Sequence, residues 1–163
     1  SDEYSNGNGS LMRILPLGFT EASPSDIEAI SSITHAHATS VEACQLYVDI
    51  ARRLLKGQQL SEILSGLETS KTYARLQPLA ELTEDDIRSS GYVVNTLEAA
   101  LWCLLTSTSY PETILKAVNL GDDTDTVAAV AGGLAGIIYG LEGIPDNWLA
   151  QLRNKELLES CLF

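Results

Sequence analysis

The chain is short of cysteine, of histidine and of positive charge. Its three cysteines, Cys44, Cys103 and Cys161, are odd in number, far apart and without CxxC spacing. That argues against a disulfide framework or a cysteine-built zinc site. Each sits among apolar neighbours and reads as a buried thiol in a reducing compartment, the cytoplasm. Only 10 lysines and arginines stand against 22 acids, for a net charge of -12. A surface this acidic repels phosphate backbones, so generic nucleic-acid binding is excluded. An anionic small molecule needs local help from a metal or from backbone N–H groups. Long apolar runs are missing too. The most apolar stretch, Val127 to Leu141, is broken by glycines and too short to span a bilayer, so no membrane partner is expected. Alternation of period two is absent over any useful length, which leaves an all-α class.

What is present suits a globular core. The 163 residues are 45% hydrophobic, enough for a single all-helical domain over 1–163. Residues 1–22 read as a Gly/Asn-rich loop and lead-in. Ser23-Pro24-Ser25-Asp26 starts a helix that should run to about His35: Ser23 caps it, Pro24 fits its first position and Asp26 favours its dipole. A longer helix is expected from about Ser40 to Lys56, ended by Gly57. Short or irregular segments follow, with Thr83-Glu84-Asp85-Asp86 as a cap and first turn. Further helices are predicted over Tyr92–Ser107, from Ser109-Tyr110-Pro111-Glu112 to Asn119, and over Val127–Tyr139. Pro145 and the final residues add short ones. Gly132, Gly136 and Gly140 recur at every fourth position, which predicts a close helix–helix approach and a central place for that helix.

Chemistry concentrates in three places. In Gly121-Asp122-Asp123-Thr124-Asp125-Thr126, three aspartates lie within a few residues and repel one another unless a cation or helix terminus compensates. One reading is an acidic first turn with Asp123 as its cap. The other is metal ligation: Asp123 and Thr126 share a helix face, with Asp125 on the same turn. An all-oxygen set selects a hard ion, Mg2+, Mn2+ or Ca2+. The second place is Ser5 to Arg13, where two glycines among small polar residues can form an anion nest, with Arg13 adding a cation; a plain surface loop is the alternative. The third is Thr34-His35-Ala36-His37, at a helix end. No further ligand completes a zinc site there.

Taken together, Asn6 to Gly18, Thr34 to His37 and Asn119 to Thr126 with its Gly-rich helix resemble the ADP-ribosylglycohydrolase family, including the dinitrogenase reductase-activating glycohydrolases. Gly143-Ile144-Pro145 through Trp148 also fits. The resemblance implies a multi-helix orthogonal bundle with two Mg2+ or Mn2+ ions in a cleft. It implies metal-dependent hydrolysis of the N- or O-glycosidic bond between ADP-ribose and a protein side chain or small acceptor. Asp123, Asp125 and Thr126 match metal ligands. Asn8, Gly9 and Ser10 match the loop against the ADP-ribose phosphates and ribose, and His35 matches a ligand contact. Asp122 stands where the pattern often has a small residue and is left out of the ligand set.

Family members are about twice this length, roughly two such domains by ordinary domain sizes. Their first half carries a Thr-Asp-Asp metal motif and an acidic residue near the scissile bond, and neither is matched here, so the catalytic residue is unknown. The expectation is a C-terminal portion lacking its N-terminal helices. It would be inactive without the missing half, and would meet that segment or a second copy through exposed apolar surface. The alternative is a non-catalytic ADP-ribose- and metal-binding or interaction module.

Overall fold

A computed structural model describes residues 6–161. The helices are α1 (Leu11–Ile14), α2 (Pro24–Ser32), α3 (Ala38–Leu55), α4 (Leu60–Ser65), α5 (Val93–Leu105), α6 (Tyr110–Asn119), α7 (Thr124–Tyr139), α8 (Asp146–Gln151) and α9 (Lys155–Cys161). Tighter 3-10 turns cover Leu15–Phe19, Lys71–Leu76, Leu79–Glu81, Glu84–Asp86 and Leu141–Gly143. Among the described residues no strand forms; a single antiparallel bridge joins Gly7 to Tyr92. The all-α expectation holds. The lead-in to α2 is itself helical at Leu11–Phe19, with Leu11 and Ile14 buried in the core.

Local chemistry sets the helix ends. Ser23 accepts the Asp26 N–H while the Asp26 carboxylate takes the Ser23 N–H, a reciprocal cap with Pro24 in the first position. α2 stops at Ser32, short of the expected His35. There the Ser31 carbonyl takes the N–H groups of both Thr34 and His35, and the chain leaves the helical path. His37 then caps α3 through Nδ1, which accepts the Thr39 N–H at 3.2 Å. Gly57, at φ 81, ends α3 in the left-handed region. Thr83 and Asp86 cap each other as predicted, so the Asp86 carboxylate is structural.

The core lies where α3, α5 and α7 meet. Cys44, Tyr47, Val48 and Ala51 face Leu97, Leu101, Val127, Val130 and Leu134, all buried in one cluster. Tyr47 reaches across and donates to the Val130 carbonyl at 2.8 Å. Glu98 is buried on α5 and neutralised by a two-pronged pair from Arg75, both contacts at 2.9 Å. That pairing pins the irregular 71–86 segment to α5, since a buried carboxylate without its partner would be costly.

α7 is central, as predicted, but only one glycine of the stripe, Gly132, makes the close approach. Added to Gly136, a Cβ would meet nothing within 4 Å, and Gly140 sits at φ 66 as the helix's C-cap. Close approach occurs at Gly132, where a Cβ would lie 2.9 Å from Ile114 Cδ1 on α6. It occurs again at Gly133, 2.6 Å from Leu15 Cδ2 and 2.9 Å from Tyr47 Oη. The cysteine expectation needs one correction. Cys44 and Cys103 are buried, whereas Cys161 is exposed on α9, which buries no residue at all.

Candidate functional site

The bridge between Gly7 and Tyr92 does the first positioning. Asn8 N–H donates to the Gly91 carbonyl at 3.2 Å, and Val93 N–H donates to the Asn6 carbonyl at 2.9 Å. This fastens the glycine loop to the start of α5. The start of α7 is fastened to the same segment: Asp123 N–H donates to the Ser89 carbonyl at 3.0 Å, and Ser89 Oγ donates to the Gly121 carbonyl at 2.7 Å. The two distant stretches therefore meet. Asn8 Nδ2 donates to Asp123 Oδ2 at 2.6 Å and to Thr96 Oγ1 at 2.9 Å.

The acidic turn is unusual backbone. Gly121 has φ 83 and Asp122 has φ 58, so consecutive residues take the left-handed conformation. Aspartate tolerates it better than most residues, and a position of this kind favours glycine. Asp123 occupies the N-cap position of α7 but its side chain makes no capping bond. The capping reading of that carboxylate is thereby corrected. Instead one oxygen is held by Asn8, and among the described residues Oδ1 takes no hydrogen bond.

Asp125 is exposed on the first turn and Thr126 is buried. Among the described residues the Thr126 hydroxyl has only the Met12 sulfur, at 4.0 Å, as partner, and a thioether is a weak acceptor. A half-satisfied buried hydroxyl is, like the carboxylates of Asp123 and Asp125, an oxygen donor of the kind a hard divalent cation takes. Among the described residues no three His, Cys, Asp or Glu side chains gather as a metal cluster.

The glycine loop works differently from a nest. Gly7 and Gly9 do not adopt positive φ, so the alternating backbone of a nest does not form. These glycines are needed for space. A Cβ on Gly7 would lie 3.1 Å from His35 Nε2, and one on Gly9 would lie 2.9 Å from His35 Cε1. The histidine ring rests directly on the loop. Arg13 is not aimed at an anion. Its guanidinium donates to the carbonyls of Gly9, Ile30 and Ser31 and to Thr34 Oγ1, stapling the loop to the C-terminal end of α2.

Of the four residues assigned to ligand binding, Asn8 is largely spent on Asp123 and Thr96, and the Ser10 hydroxyl is buried 3.4 Å from the Cys44 thiol. Among the described residues the Gly9 and Ser10 N–H groups have no acceptor. His35 is half-buried and borders the loop. Sequence reasoning missed Thr96, Ser89 and Gly91. Their signal is faint: a Ser-Ser-Gly turn and a threonine in the first turn of an apolar helix. A groove of about 930 Å³ runs between α2 and α3, floored by Ile27, Val41, Leu46 and Leu67, but none of the candidate site residues lines it. Among the described residues no helix is long and apolar enough to cross a membrane.

Comparison with known proteins supports the same combination. The chain is 38% identical to ADP-ribosylarginine hydrolase Tri1 of Pseudomonas putida over 160 residues, 93% of this chain and 43% of that protein. It is 32% identical to the ADP-ribosyl-[dinitrogen reductase] glycohydrolase of Rhodospirillum rubrum, covering 91% of this chain and 51% of that one. The chain thus spans about half the length of these curated relatives. A solved chain from an ADP-ribosylglycohydrolase-related protein complex superposes with a TM-score of 0.82 at 33% identity, over 98% of this chain and 59% of that chain. The ADP-ribosylglycohydrolase family model matches residues 1–162. Sequence, backbone and the pairing of loop with acidic turn agree: this chain belongs to the ADP-ribosylglycohydrolase family.

Proposed function

We propose that the chain supplies the ADP-ribose-facing loop and one metal-binding turn of a hydrolase that cleaves the glycosidic bond between ADP-ribose and a protein side chain or small acceptor. The observation that carries this reading is the Asn8–Asp123 hydrogen bond, which ties the loop to the acidic turn. The relatives' names, ADP-ribosylarginine hydrolase and ADP-ribosyl-[dinitrogen reductase] glycohydrolase, point to ADP-ribosylated proteins as substrates.

In this reading Asp123, Asp125 and Thr126 hold Mg2+ or Mn2+. When bound, such an ion supplies Lewis acidity at ribose oxygens and an acidified water. Asn8 fixes the Asp123 carboxylate from behind, the part played by outer-shell partners at metal sites. The Gly9 and Ser10 N–H groups donate to phosphate or ribose oxygens, and His35 closes the loop's other side.

Three protein oxygens leave much of a six-coordinate shell to water or to groups outside this set. Turnover therefore requires further ligands, contributed by a preceding segment or a partner. Exposed Met12, Phe19 and Ile33, on α1, the turn after it and the end of α2, suit such a contact or self-association. Free thiols at Cys44, Cys103 and Cys161 suit a reducing, cytoplasmic setting.

Calorimetry with Mn2+, Mg2+ and ADP-ribose on this chain tests binding, and release of ADP-ribose from an ADP-ribosylated arginine peptide tests turnover. Metal-dependent ADP-ribose binding is expected, with turnover appearing when the first half of a relative is added. Binding without turnover in every combination would favour the non-catalytic module. Loss of both binding events would overturn the reading of the site.

A further inference from the structure

Two short contacts on the outer side of the glycine loop define the state of His35. Arg13 Nη2 donates to Thr34 Oγ1 at 2.6 Å, and Thr34 Oγ1 lies 2.7 Å from His35 Nδ1. A guanidinium only donates, so Thr34 Oγ1 is the acceptor and keeps its own proton to give. An oxygen that already accepts from a cation gives that proton more readily and takes a second donor less readily. The acceptor within reach is the Nδ1 lone pair of His35. We propose that Arg13 and Thr34 are positioning residues that hold His35 in the tautomer protonated at Nε2.

The consequence lies at the other edge of the ring. Among the described residues Nε2 has no hydrogen-bond partner, and it sits over Gly7, with Cε1 over Gly9. An Nε2–H there is a donor presented at the loop's rim. It suits an anionic or hydroxyl oxygen, such as a phosphate or ribose oxygen. This ligand-facing part rests on the proposed ADP-ribose site; the tautomer itself does not. His37 provides a reference within the same chain. Its Nδ1 accepts the Thr39 N–H, and a backbone N–H can only donate, so a neutral His37 also carries its proton on Nε2.

The test is two-bond proton–nitrogen spectroscopy of the histidine-labelled protein at about pH 8.5, where an ordinary imidazole is neutral. A His37→Asn variant identifies the two rings. Wild-type His35 should match the Nε2-protonated pattern of His37. In Thr34→Val, an exposed site where folding is little threatened, His35 should move toward the averaged pattern of a ring with both tautomers populated. Thr34→Ser should restore it, with His37 unmoved throughout. A wild-type His35 protonated at Nδ1, or one unchanged in Thr34→Val, overturns the relay. With ADP-ribose and Mg2+, Thr34→Val should weaken binding by no more than about twofold, since half of an evenly mixed ring still carries Nε2–H, whereas His35→Ala, which removes the donor, should weaken it about tenfold, the value of one hydrogen bond to a charged partner. Unchanged affinity in His35→Ala overturns the ligand-facing part. A wild type that binds no ADP-ribose overturns that part together with the proposed site, while the spectra still decide the relay.

Discussion

Asn8 and Asp123, 115 positions apart in sequence, are joined by a hydrogen bond of 2.6 Å from Nδ2 to Oδ2. Removing the amide should loosen the carboxylate. Asn8→Ala is expected to weaken Mn2+ binding roughly tenfold or more, the usual effect of losing an outer-shell partner, as read by electron paramagnetic resonance titration. Asn8→Asp should behave differently, because it sets two carboxylates against each other. It should melt at lower temperature than wild type without divalent ions and recover more than wild type when Mg2+ is added. Equal Mg2+ responses would remove Asp123 from the metal site.

The glycine loop makes a steric prediction. Gly9→Ala places a Cβ 2.9 Å from His35 Cε1. Overpacking of this kind should cost about 1–3 kcal/mol in urea unfolding. The same substitution in a His35→Ala background should cost much less, giving a coupling energy of at least ~0.5 kcal/mol. Additive costs would mean the ring does not rest on the loop.

Two glycines a few residues apart in α7 should respond in opposite directions. Gly133→Ala meets Leu15 and Tyr47 at under 3 Å and should destabilise by about 1–3 kcal/mol. Gly136→Ala meets open space inside a helix and should stabilise by about 0.5–1 kcal/mol. Thermal melts of the pair, side by side, decide whether the repeat or the local contact sets the packing.

The thiols divide by burial. Burial pushes the Cys44 thiol up, against smaller opposing effects from Ser10 and Ser31, and pushes Cys103 up to about 12. Cys161 is exposed. At about pH 8, near the ordinary cysteine range, Cys161 alone should react rapidly with a disulfide reagent in the native protein. All three cysteines should react after denaturation. Fast native labelling of Cys44 or Cys103 would contradict the packing of α3 and α5.

Acid should unpick the caps. Hydrogen bonds from Ser23, Thr83 and Thr108 hold the carboxyls of Asp26, Asp86 and Glu112 below their ordinary values. A carboxyl lowered in the folded state contributes fully above its unfolded value and loses that contribution as pH falls through the folded one. The melting temperature should therefore be flat near neutrality and fall below about pH 4. Asp86→Asn should melt below wild type at neutral pH, and the two should converge in acid.

Much of this was legible along the chain. The helix starts were local chemistry: Ser23, Thr83 and Ser109 each open a helical turn where the sequence placed one, and the structure adds their bonds to Asp26, Asp86 and Glu112. The left-handed stop at Gly57 was equally local. Where sequence reasoning slipped, a distant contact decided. The every-fourth-residue glycines predicted one packing face, yet Gly133, off that stripe, makes the tightest approach because Leu15 and Tyr47 happen to meet it. The loop glycines suggested a nest, but their small size matters because His35 sits on them. Arg13 suggested an anion partner, but its donors are taken by carbonyls and Thr34.

The sequence alone therefore determined the helical class, most helix boundaries, the acidic character and the stretches that carry chemistry. These depend on neighbours a few positions away, through capping, periodicity and charge. Only the tertiary structure decided that Asn8 holds Asp123, that Thr96 and Ser89 support them, and that Arg13 reaches His35 through Thr34. Such pairings are created when α5 and α7 pack and a single backbone bridge brings the loop beside them. A hydrogen bond is a matter of tenths of an ångström, and spacing along a chain carries no such information across a hundred residues.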